Sequence, residues 1–130
     1  MNIRTLAVVV LLIIISLNAL SQSSLKYNST HLDYDRAVML YEKGHYSPAQ
    51  KIFAKIVGMQ GEEYSSYRDD AEYYHALCAI NLFNMDAEYL IEHFINSNPE
   101  SYNSNDAAFE LANYQFQKKK YRRALEWYEK

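Results

Sequence analysis

Two stretches of this chain have the same spacing: YEKGHYSPAQKIFAKIV at residues 41–57 and FQKKKYRRALEWYEK at residues 116–130. Extending the alignment outward matches five pairs of residues of similar size, each pair 75 residues apart. The pairs are Ala37 with Ala112, Tyr41 with Phe116, Tyr46 with Tyr121, Ala49 with Ala124, and Phe53 with Tyr128. A constant offset at five positions indicates an internal repeat. The chain is therefore predicted to contain copies of one small unit.

Within a copy, the apolar residues have the spacing of two helices joined by a short turn. They recur every three or four residues on both sides of Gly44, at Tyr34, Ala37, Val38 and Tyr41 and then at Ala49, Ile52, Phe53 and Ile56. This spacing keeps side chains on one face of a helix. Ser47 and Pro48 then predict an N-cap and a first-turn proline for the second helix. Each copy is therefore predicted to be a helical hairpin.

A third, weaker copy is predicted between these two. Half of the 75-residue offset, taken as 38, leads from Ala49 to Ala87 in the run NMDAEYLIEHFINSNPES. Asn98 and Pro99 then form a break before the last copy. The glycine and proline contents, 3 and 2 residues, are low in a chain of 130 residues, and this scarcity of turn formers also favours helices.

Alanine recurs in both helices of a copy, and we expect it to mark their crossing point. Two antiparallel helices approach closely only where their side chains are small, which would bring Ala37 against Ala49 and Ala112 against Ala124. The larger rings at Tyr46, Phe53, Tyr121 and Tyr128 would then fill the wider space between neighbouring hairpins.

The motif Gly-x-Tyr-x2-Ala-x3-Phe resembles the tetratricopeptide repeat (TPR), a helix-turn-helix unit that stacks into a superhelix. The residues that carry the resemblance are Ala37, Gly44, Tyr46, Ala49 and Phe53 in copy one, Ala76, Ala87 and Pro99 in copy two, and Leu111, Ala112, Tyr121, Ala124 and Tyr128 in copy three. Copy two is shifted by about one residue near Asn84, and Lys119 replaces the turn glycine in copy three.

The resemblance implies an all-α fold, with the hairpins stacked as an α-solenoid. The predicted units are a signal peptide at 1–21, a linker at 22–29, and repeats at 30–63, 68–101 (degenerate) and 105–130 (incomplete). The chain is also similar to the N-terminal part of long exported TPR proteins of Bacteroidota. Because Lys130 aligns with Lys55, the last helix stops before its partner does, and we expect the natural chain to continue.

The N-terminal segment has the pattern of a secretory signal peptide. Arg4 precedes the apolar run from Leu6 to Ile15, and Ala19-Leu20-Ser21 provides small residues before cleavage at Gln22. A membrane anchor is the alternative, although the run is shorter than the roughly 20 apolar residues that span a bilayer. No cysteine follows the run, so we predict an exported protein of the periplasm or outer membrane that is not a lipoprotein.

Few residues in the sequence suggest chemistry. Glu72 and His75 have the Glu-x-x-His spacing of di-metal sites, but the remaining ligands of such a site are missing. Cys78, the single cysteine, lies among alanines and is predicted to be a buried packing residue. The basic residues between Lys118 and Arg123 are predicted to be a solvated corner, since the net charge of −3 disfavours nucleic acid. We therefore predict no catalytic site, metal or cofactor.

The TPR resemblance implies a binding groove lined by the first helix of each hairpin. Its predicted residues, here called the groove residues, are Tyr34, Val38, Tyr41, Tyr73, Phe109, Asn113 and Phe116. The acids Asp35, Glu42 and Glu110 flank them. Of the groups with which TPR adaptors hold a C-terminal carboxylate, only Asn113 is matched. The alternative is that these rings pack inside or between the hairpins.

We therefore expect a scaffold without catalysis that binds a protein or peptide partner of the cell envelope, and that meets membranes only through its partners. The alternative function is a structural spacer that supports further repeats beyond residue 130. A metal-binding or hydrolytic enzyme is the third reading, and it has the least support in the sequence.

Overall fold

The structure, a computed structural model, describes residues 29–61 and 64–130. Six helices and no strand occur in these residues: α1 at 29–42, α2 at Tyr46–Val57, α3 at Ser65–Asn81, α4 at Ala87–Ser97, α5 at Ser104–Gln117 and α6 at Tyr121–Tyr128. The predicted all-α class is therefore confirmed. The predicted signal peptide (1–21), nearly all of the predicted linker (22–29) and residues 62–63 at the end of predicted repeat 1 lie outside the described residues.

The helices pack in chain order as three hairpins. The α2 helix packs on α3, α3 on α4, α4 on α5, and α5 on α6, with a smaller contact between α3 and α5. The α1 helix contacts both α2 and α3 through Tyr34, whose ring centroid lies 6.1 Å from that of Phe53 and 5.4 Å from that of Tyr67. The hairpins are thus α1–α2, α3–α4 and α5–α6, joined by the α2–α3 and α4–α5 packing.

Small side chains lie at the centre of every hairpin. Six alanines at matching positions are at most 1% exposed, namely Ala37, Ala76 and Ala112 in the first helices and Ala49, Ala87 and Ala124 in the second. Ala37 and Ala49 belong to one buried cluster with Phe53 and Ile56. Leu111 is buried in a second cluster with Ile91 and Phe94. The apolar core therefore follows the alanine spacing of the sequence.

The first helix of every hairpin ends in the same turn. The N–H groups of His45, Asn84 and Lys120 donate to the carbonyls of Leu40, Ala79 and Gln115 at 2.8, 3.0 and 2.9 Å. The residue before each donor has a positive φ: 74° at Gly44, 55° at Phe83 and 61° at Lys119. This combination is the Schellman motif, which satisfies carbonyls at a helix end.

The turns also locate the one-residue shift of the middle copy. Gly44, Phe83 and Lys119 are separated by 39 and 36 residues, as are Ala37, Ala76 and Ala112. The alanines of the second helices, Ala49, Ala87 and Ala124, are instead separated by 38 and 37 residues. The shift therefore lies between Phe83 and Ala87, where the connection to the second helix is one residue shorter.

The N-cap predicted at Ser47 is wrong. The α2 helix begins at Tyr46, with His45 before it and no side-chain cap, so Ser47 lies inside the first turn. The Schellman turn has already reversed the chain at Gly44 and His45, and the next helix starts at once. Pro48 still removes no helical hydrogen bond, because the first bond of α2 is donated by Ala49 to the carbonyl of His45 at 3.2 Å.

The turns provide a first prediction, in which two substitutions shift stability in opposite directions. Lys119→Gly should raise the free energy of unfolding by about 0.5–1 kcal/mol, because glycine accepts a positive φ without strain. Gly44→Ala should lower it by about 1 kcal/mol through backbone strain alone, since a Cβ there would meet nothing within 4 Å. Urea unfolding followed by circular dichroism measures both. A Lys119→Gly protein that unfolds at lower urea than the parent would contradict the prediction.

Candidate functional site

The groove residues lie on α1, α3 and α5 at very different depths. Tyr73 is only 8% exposed, and its ring centroid lies 5.5 Å from that of Phe94 in the core. Tyr34, Val38 and Tyr41 of α1 are partly buried, as is Asn113 of α5. Phe109 and Phe116, also on α5, are each 56% exposed. The part of this set that is most open to a partner is therefore on α5.

The two tyrosines of α1 are used largely in packing between helices. Tyr34 contacts Phe53 edge-on, and Tyr41 meets Tyr46 at 5.4 Å and Tyr74 at 5.2 Å between ring centroids, both T-shaped. Val38 packs against the buried cluster that contains Ala37 and Phe53. Edge-to-face contacts of this kind stabilise a core beyond the area that they bury. The rings of α1 therefore join the first hairpin to α3.

Each of the two matching rings of α5 contacts one ring of α6 in its own hairpin. Phe109 lies 5.7 Å from Tyr128, and Phe116 lies 5.2 Å from Tyr121, both T-shaped. Asn113 accepts a 2.6 Å hydrogen bond from the hydroxyl of Tyr128. One cavity of about 310 Å³ opens beside Phe109, Trp127 and Tyr128. The α5–α6 hairpin thus presents aromatic surface at two adjacent places.

Two acids of α5 act on partly or fully buried tyrosines of the neighbouring first helices. Asp106 and Glu110 of α5 both raise the pKa of Tyr73, after the larger effect of burial. Glu110 also acts on Tyr41, whose pKa is raised to about 12, chiefly by burial. The phenols are therefore neutral at physiological pH. A ligand with a lysine or arginine would complement the charges of these two acids.

Asp70 forms a hydrogen-bonded clamp that the sequence analysis did not find. Its Oδ1 accepts from the hydroxyl of Tyr102 and from Nδ2 of Asn103, both at 2.9 Å, and its Oδ2 accepts from the hydroxyl of Tyr34 at 3.4 Å. The clamp ties α1 and α3 to the loop before α5. The partners of Asp70 lie 32 to 36 residues from it in the sequence, so no local spacing could have revealed the clamp.

The residues considered for chemistry are engaged in packing and hydrogen bonds. Glu72 accepts from Nδ2 of Asn98 at 3.0 Å and lies 3.4 Å from Nδ1 of His93. Burial lowers the pKa of His75, while the negative charges of Asp86 and Glu72 act in the opposite direction and raise it. Within residues 29–61 and 64–130, no group of three or more histidine, cysteine or acidic side chains could hold a metal ion.

Cys78 is fully buried, and burial raises the pKa of its thiol to about 12. At neutral pH it is therefore a protonated thiol without access to solvent. Because the thiolate is the nucleophilic form, this environment does not activate the residue. Cys78 packs instead with Ala71 against the first hairpin.

No protein-family model, curated protein or solved structure matches this chain. Among the helices that the structure describes, none is both long and apolar enough to cross a membrane.

Part of the basic corner between α5 and α6 is neutralised within the chain. Glu88 of α4 pairs with Lys120 at 2.5 Å and with Arg123 at 3.4 Å. Lys118 lies 5.1 Å from the centre of the Tyr114 ring. Arg122 is 3.7 Å from Glu126 on its own helix. The two pairs with Glu88 join α4 to the start of α6, and the ion pairs together leave less free positive charge than the sequence suggests.

Proposed function

We propose that this chain is a TPR-like scaffold, with its hairpins stacked as an α-solenoid, that binds protein segments in the cell envelope without catalysis. Export to the periplasm is part of the proposal and rests on the signal-peptide pattern of residues 1–21. Support for the repeat architecture comes from the three matching Schellman turns and the six buried alanines. The binding surface is the groove side of α5, with the adjacent acids.

The observation that carries the proposal is the difference between α1 and α5. Tyr41 is partly covered by Tyr74, whereas Phe116, its counterpart 75 residues later, is 56% exposed. Phe109 is exposed to the same extent at the position that matches Tyr34. Large rings left in solvent on a helix that also carries the acids Asp106 and Glu110 are typical of a surface that binds a partner. A peptide with apolar anchors and basic neighbours fits both features.

Binding would require no rearrangement of the hairpin. Phe109 and Asn113 are one turn apart on α5, and Asn113 is already fixed by the hydroxyl of Tyr128. A segment that lies along α5 would bury Phe109 while the amide of Asn113 offers hydrogen bonds to its backbone. Since aromatic rings supply large area at small entropic cost, Phe109 is expected to be the anchor of the contact.

Site-specific crosslinking tests this proposal in the native envelope. A photoreactive residue at position 109 should yield an adduct of one defined mass, and the adduct should be absent when the same group stands at Tyr89. Tyr89 is the control because it is 66% exposed on α4, a helix that carries none of the groove residues. An identical adduct pattern at both positions, or none at 109, would refute the proposed surface.

The second prediction separates binding from stability with two substitutions. Phe109→Ala should reduce the adduct formed through a photoreactive group at Asn113 while lowering the free energy of unfolding by less than about 1 kcal/mol. Ala49→Leu should lower it by about 1–3 kcal/mol, because Ala49 is fully buried and a larger side chain would wedge α1 from α2. Thermal melting of both variants checks this. Equal losses of stability would assign Phe109 to the core.

A spacer that supports further repeats is the second candidate. The observation in its favour is that the apolar surface of the last hairpin also includes Leu125 and Tyr128 of α6, outside the groove residues. A scaffold and a spacer differ in the crosslinking result, because a spacer gives no adduct with a separate protein at position 109.

A further inference from the structure

The connection between α3 and α4 exposes two large apolar side chains next to each other, and we call its residues 83–86 the apolar turn. Phe83 is 60% exposed and Met85 is fully exposed, and the four residues of the turn line one open concavity. The turn belongs to the middle hairpin, which has a hairpin packed on each side. These two side chains are therefore exposed although neighbouring repeats are present on both sides.

The backbone of Phe83 has a conformation that does not suit a large side chain. Its φ is 55°, and the residue with a positive φ in the first hairpin is Gly44, at 74°. Glycine accepts this conformation without strain, whereas a residue with a Cβ does not. The Phe83 ring lies at the surface, 6.1 Å from the ring of Tyr114. A strained residue whose ring stays largely in solvent favours a role for that ring outside the fold.

Two lysines of the connection between α5 and α6 add positive charge beside the apolar turn. The Nζ of Lys118 lies 6.0 Å from the centre of the Phe83 ring. Lys119 follows it in the same connection, and both lysines are exposed. Within residues 29–61 and 64–130, neither lysine forms an ion pair with an acid. The apolar turn is therefore bordered by cations whose charge is not neutralised by a pair.

The acids of this region do not cancel its positive charge. Asp86 is the single acid of the apolar turn, against the two unpaired lysines. Glu88, at the start of α4, pairs with both Lys120 and Arg123, so it carries one charge against two. The surface around the apolar turn therefore has an excess of positive charge, although the whole chain has a net charge of −3.

We propose that the apolar turn inserts into the surface of a bilayer that contains anionic lipid. Phe83 and Met85 would enter the boundary between headgroups and acyl chains, and Lys118 and Lys119 would contact lipid phosphates. Apolar side chains beside lysines are the combination that holds peripheral proteins on anionic membranes. This direct contact goes beyond the proposed function, and it differs from the expectation that the chain meets membranes only through its partners.

The small size of the apolar turn favours a bilayer over a protein as its partner. A stable protein interface buries about 800 Å² on each side. Two side chains on a four-residue turn offer far less area than that. A bilayer needs no complementary shape, because its surface adapts to the side chains that enter it, and binding depends on the buried apolar area and on charge.

A fluorescent label at position 85 of the full chain tests the proposal. Met85→Cys can be labelled selectively with an environment-sensitive dye, because the native thiol of Cys78 is buried and protonated. The probe is a vesicle of phosphatidylglycerol. The emission of the dye should shift to shorter wavelength when vesicles are added, and acyl-chain quenchers should reduce it. Vesicles of phosphatidylcholine should give a much smaller shift, since they lack the negative charge.

The matched control carries the same dye at Leu32→Cys. Leu32 is 69% exposed on α1, outside the apolar turn. The apolar run of residues 6–15 can itself bring the full chain to a vesicle, so the readout must be local. The dye at position 32 should keep its emission when vesicles are added. A difference between the two positions therefore assigns the contact to the apolar turn.

A second pair of variants tests the lysines. Lys118→Gln combined with Lys119→Asn should raise the lipid concentration for half of the shift at position 85 by at least about fivefold. Asparagine is chosen at position 119 because it tolerates a positive φ. Arg36→Gln combined with Lys51→Gln removes two exposed basic residues of α1 and α2, and it should change that concentration by less than about twofold. Circular dichroism checks that each variant is folded.

Four outcomes would overturn the inference. They are no shift at position 85 with phosphatidylglycerol, an equal shift at position 32, an equal shift with phosphatidylcholine, and a shift that the lysine variant leaves unchanged. A label at position 85 that responds to lipid-free envelope extract but not to vesicles would assign the apolar turn to a protein partner. None of these substitutions involves Phe109, so a failure here and a failure of the proposed groove are separate results.

Discussion

Phe53→Ala is expected to lower the free energy of unfolding by about 3–5 kcal/mol, the range for a fully buried phenylalanine. The side chain is 0% exposed and joins three helices. Its ring meets Tyr34 of α1 edge-on and stacks on Tyr74 of α3. Removing it would leave a cavity at the junction of the first two hairpins, where neighbouring rings cannot collapse without losing their own contacts.

Tyr128→Ala is the matched control because Tyr128 occupies the same repeat position. Tyr128 is 44% exposed, and no further helix stacks on it among the described residues. Its loss should cost no more than about 1.5 kcal/mol, mainly from the contact with Phe109 and the hydrogen bond to Asn113. Guanidinium denaturation of both variants gives the comparison. Equal losses would mean that the covering helix contributes little to the role of Phe53.

The local structure of the hairpins could be predicted from the sequence because it depends on local rules. The three-and-four spacing around Gly44 identified two helices, and the alanine offsets located the buried positions. The turn of the middle copy was harder to place, because Phe83 holds a conformation that glycine usually takes. The structure shows that the turn at Phe83 follows Ala76 at the same distance in sequence as the turn at Gly44 follows Ala37.

The burial of the aromatic rings could not be predicted from the sequence. It depends on which side chains of a neighbouring hairpin pack on each ring. Tyr41 and Phe116 occupy equivalent places in equivalent sequences. Tyr41 contacts Tyr74 of the following hairpin, whereas Phe116 keeps over half of its surface in solvent. The prediction of one continuous groove treated them alike. Their different surroundings are what assign α5, rather than α1, to the proposed binding surface.

The clamp at Asp70 was missed for a related reason. Its partners lie on α1 and in the loop before α5, so it forms only after the hairpins have stacked. Asn103, in the loop before α5, is 5% exposed and donates to the carboxylate of Asp70. Polar residues in a linker carry no sign of burial in the sequence. Asn103 and Tyr102 are bonded to Asp70 only because the stacked hairpins bring the loop before α5 next to α3.

Alkaline unfolding is the prediction with the largest effect. Burial raises the pKa of Tyr41 to about 12 and raises those of Tyr34, Tyr73 and Tyr74 above the ordinary value of tyrosine, with added contributions from Asp70 for Tyr34 and Asp106 for Tyr73. The unfolded chain releases these protons near pH 10. The folded chain retains them, so loss of the protons favours unfolding.

The contribution of these tyrosines to the free energy of unfolding is fully present below about pH 10. It decreases as the pH rises above that value. Each retained proton contributes a slope of about 1.4 kcal/mol per pH unit, so Tyr34, Tyr41 and Tyr73 together give about 4 kcal/mol per unit, and the raised pKa of Tyr74 adds to this slope. The thiol of Cys78, whose pKa is raised to about 12 by burial, adds to the slope. Since domains of this size are stable by about 5–15 kcal/mol, the helices should be lost by about pH 12.

A variant with Tyr41→Phe and Tyr74→Phe provides the decisive comparison, because it keeps both rings and removes two ionising groups. Its alkaline midpoint should lie above that of the parent, whereas Tyr89→Phe, which removes a hydroxyl from a 66% exposed side chain, should leave the midpoint unchanged. Circular dichroism follows the helices, and the ultraviolet absorbance of tyrosinate follows ionisation. If tyrosinate formed fully while the helical signal persisted at pH 12, the buried phenols would not be the groups that couple folding to pH.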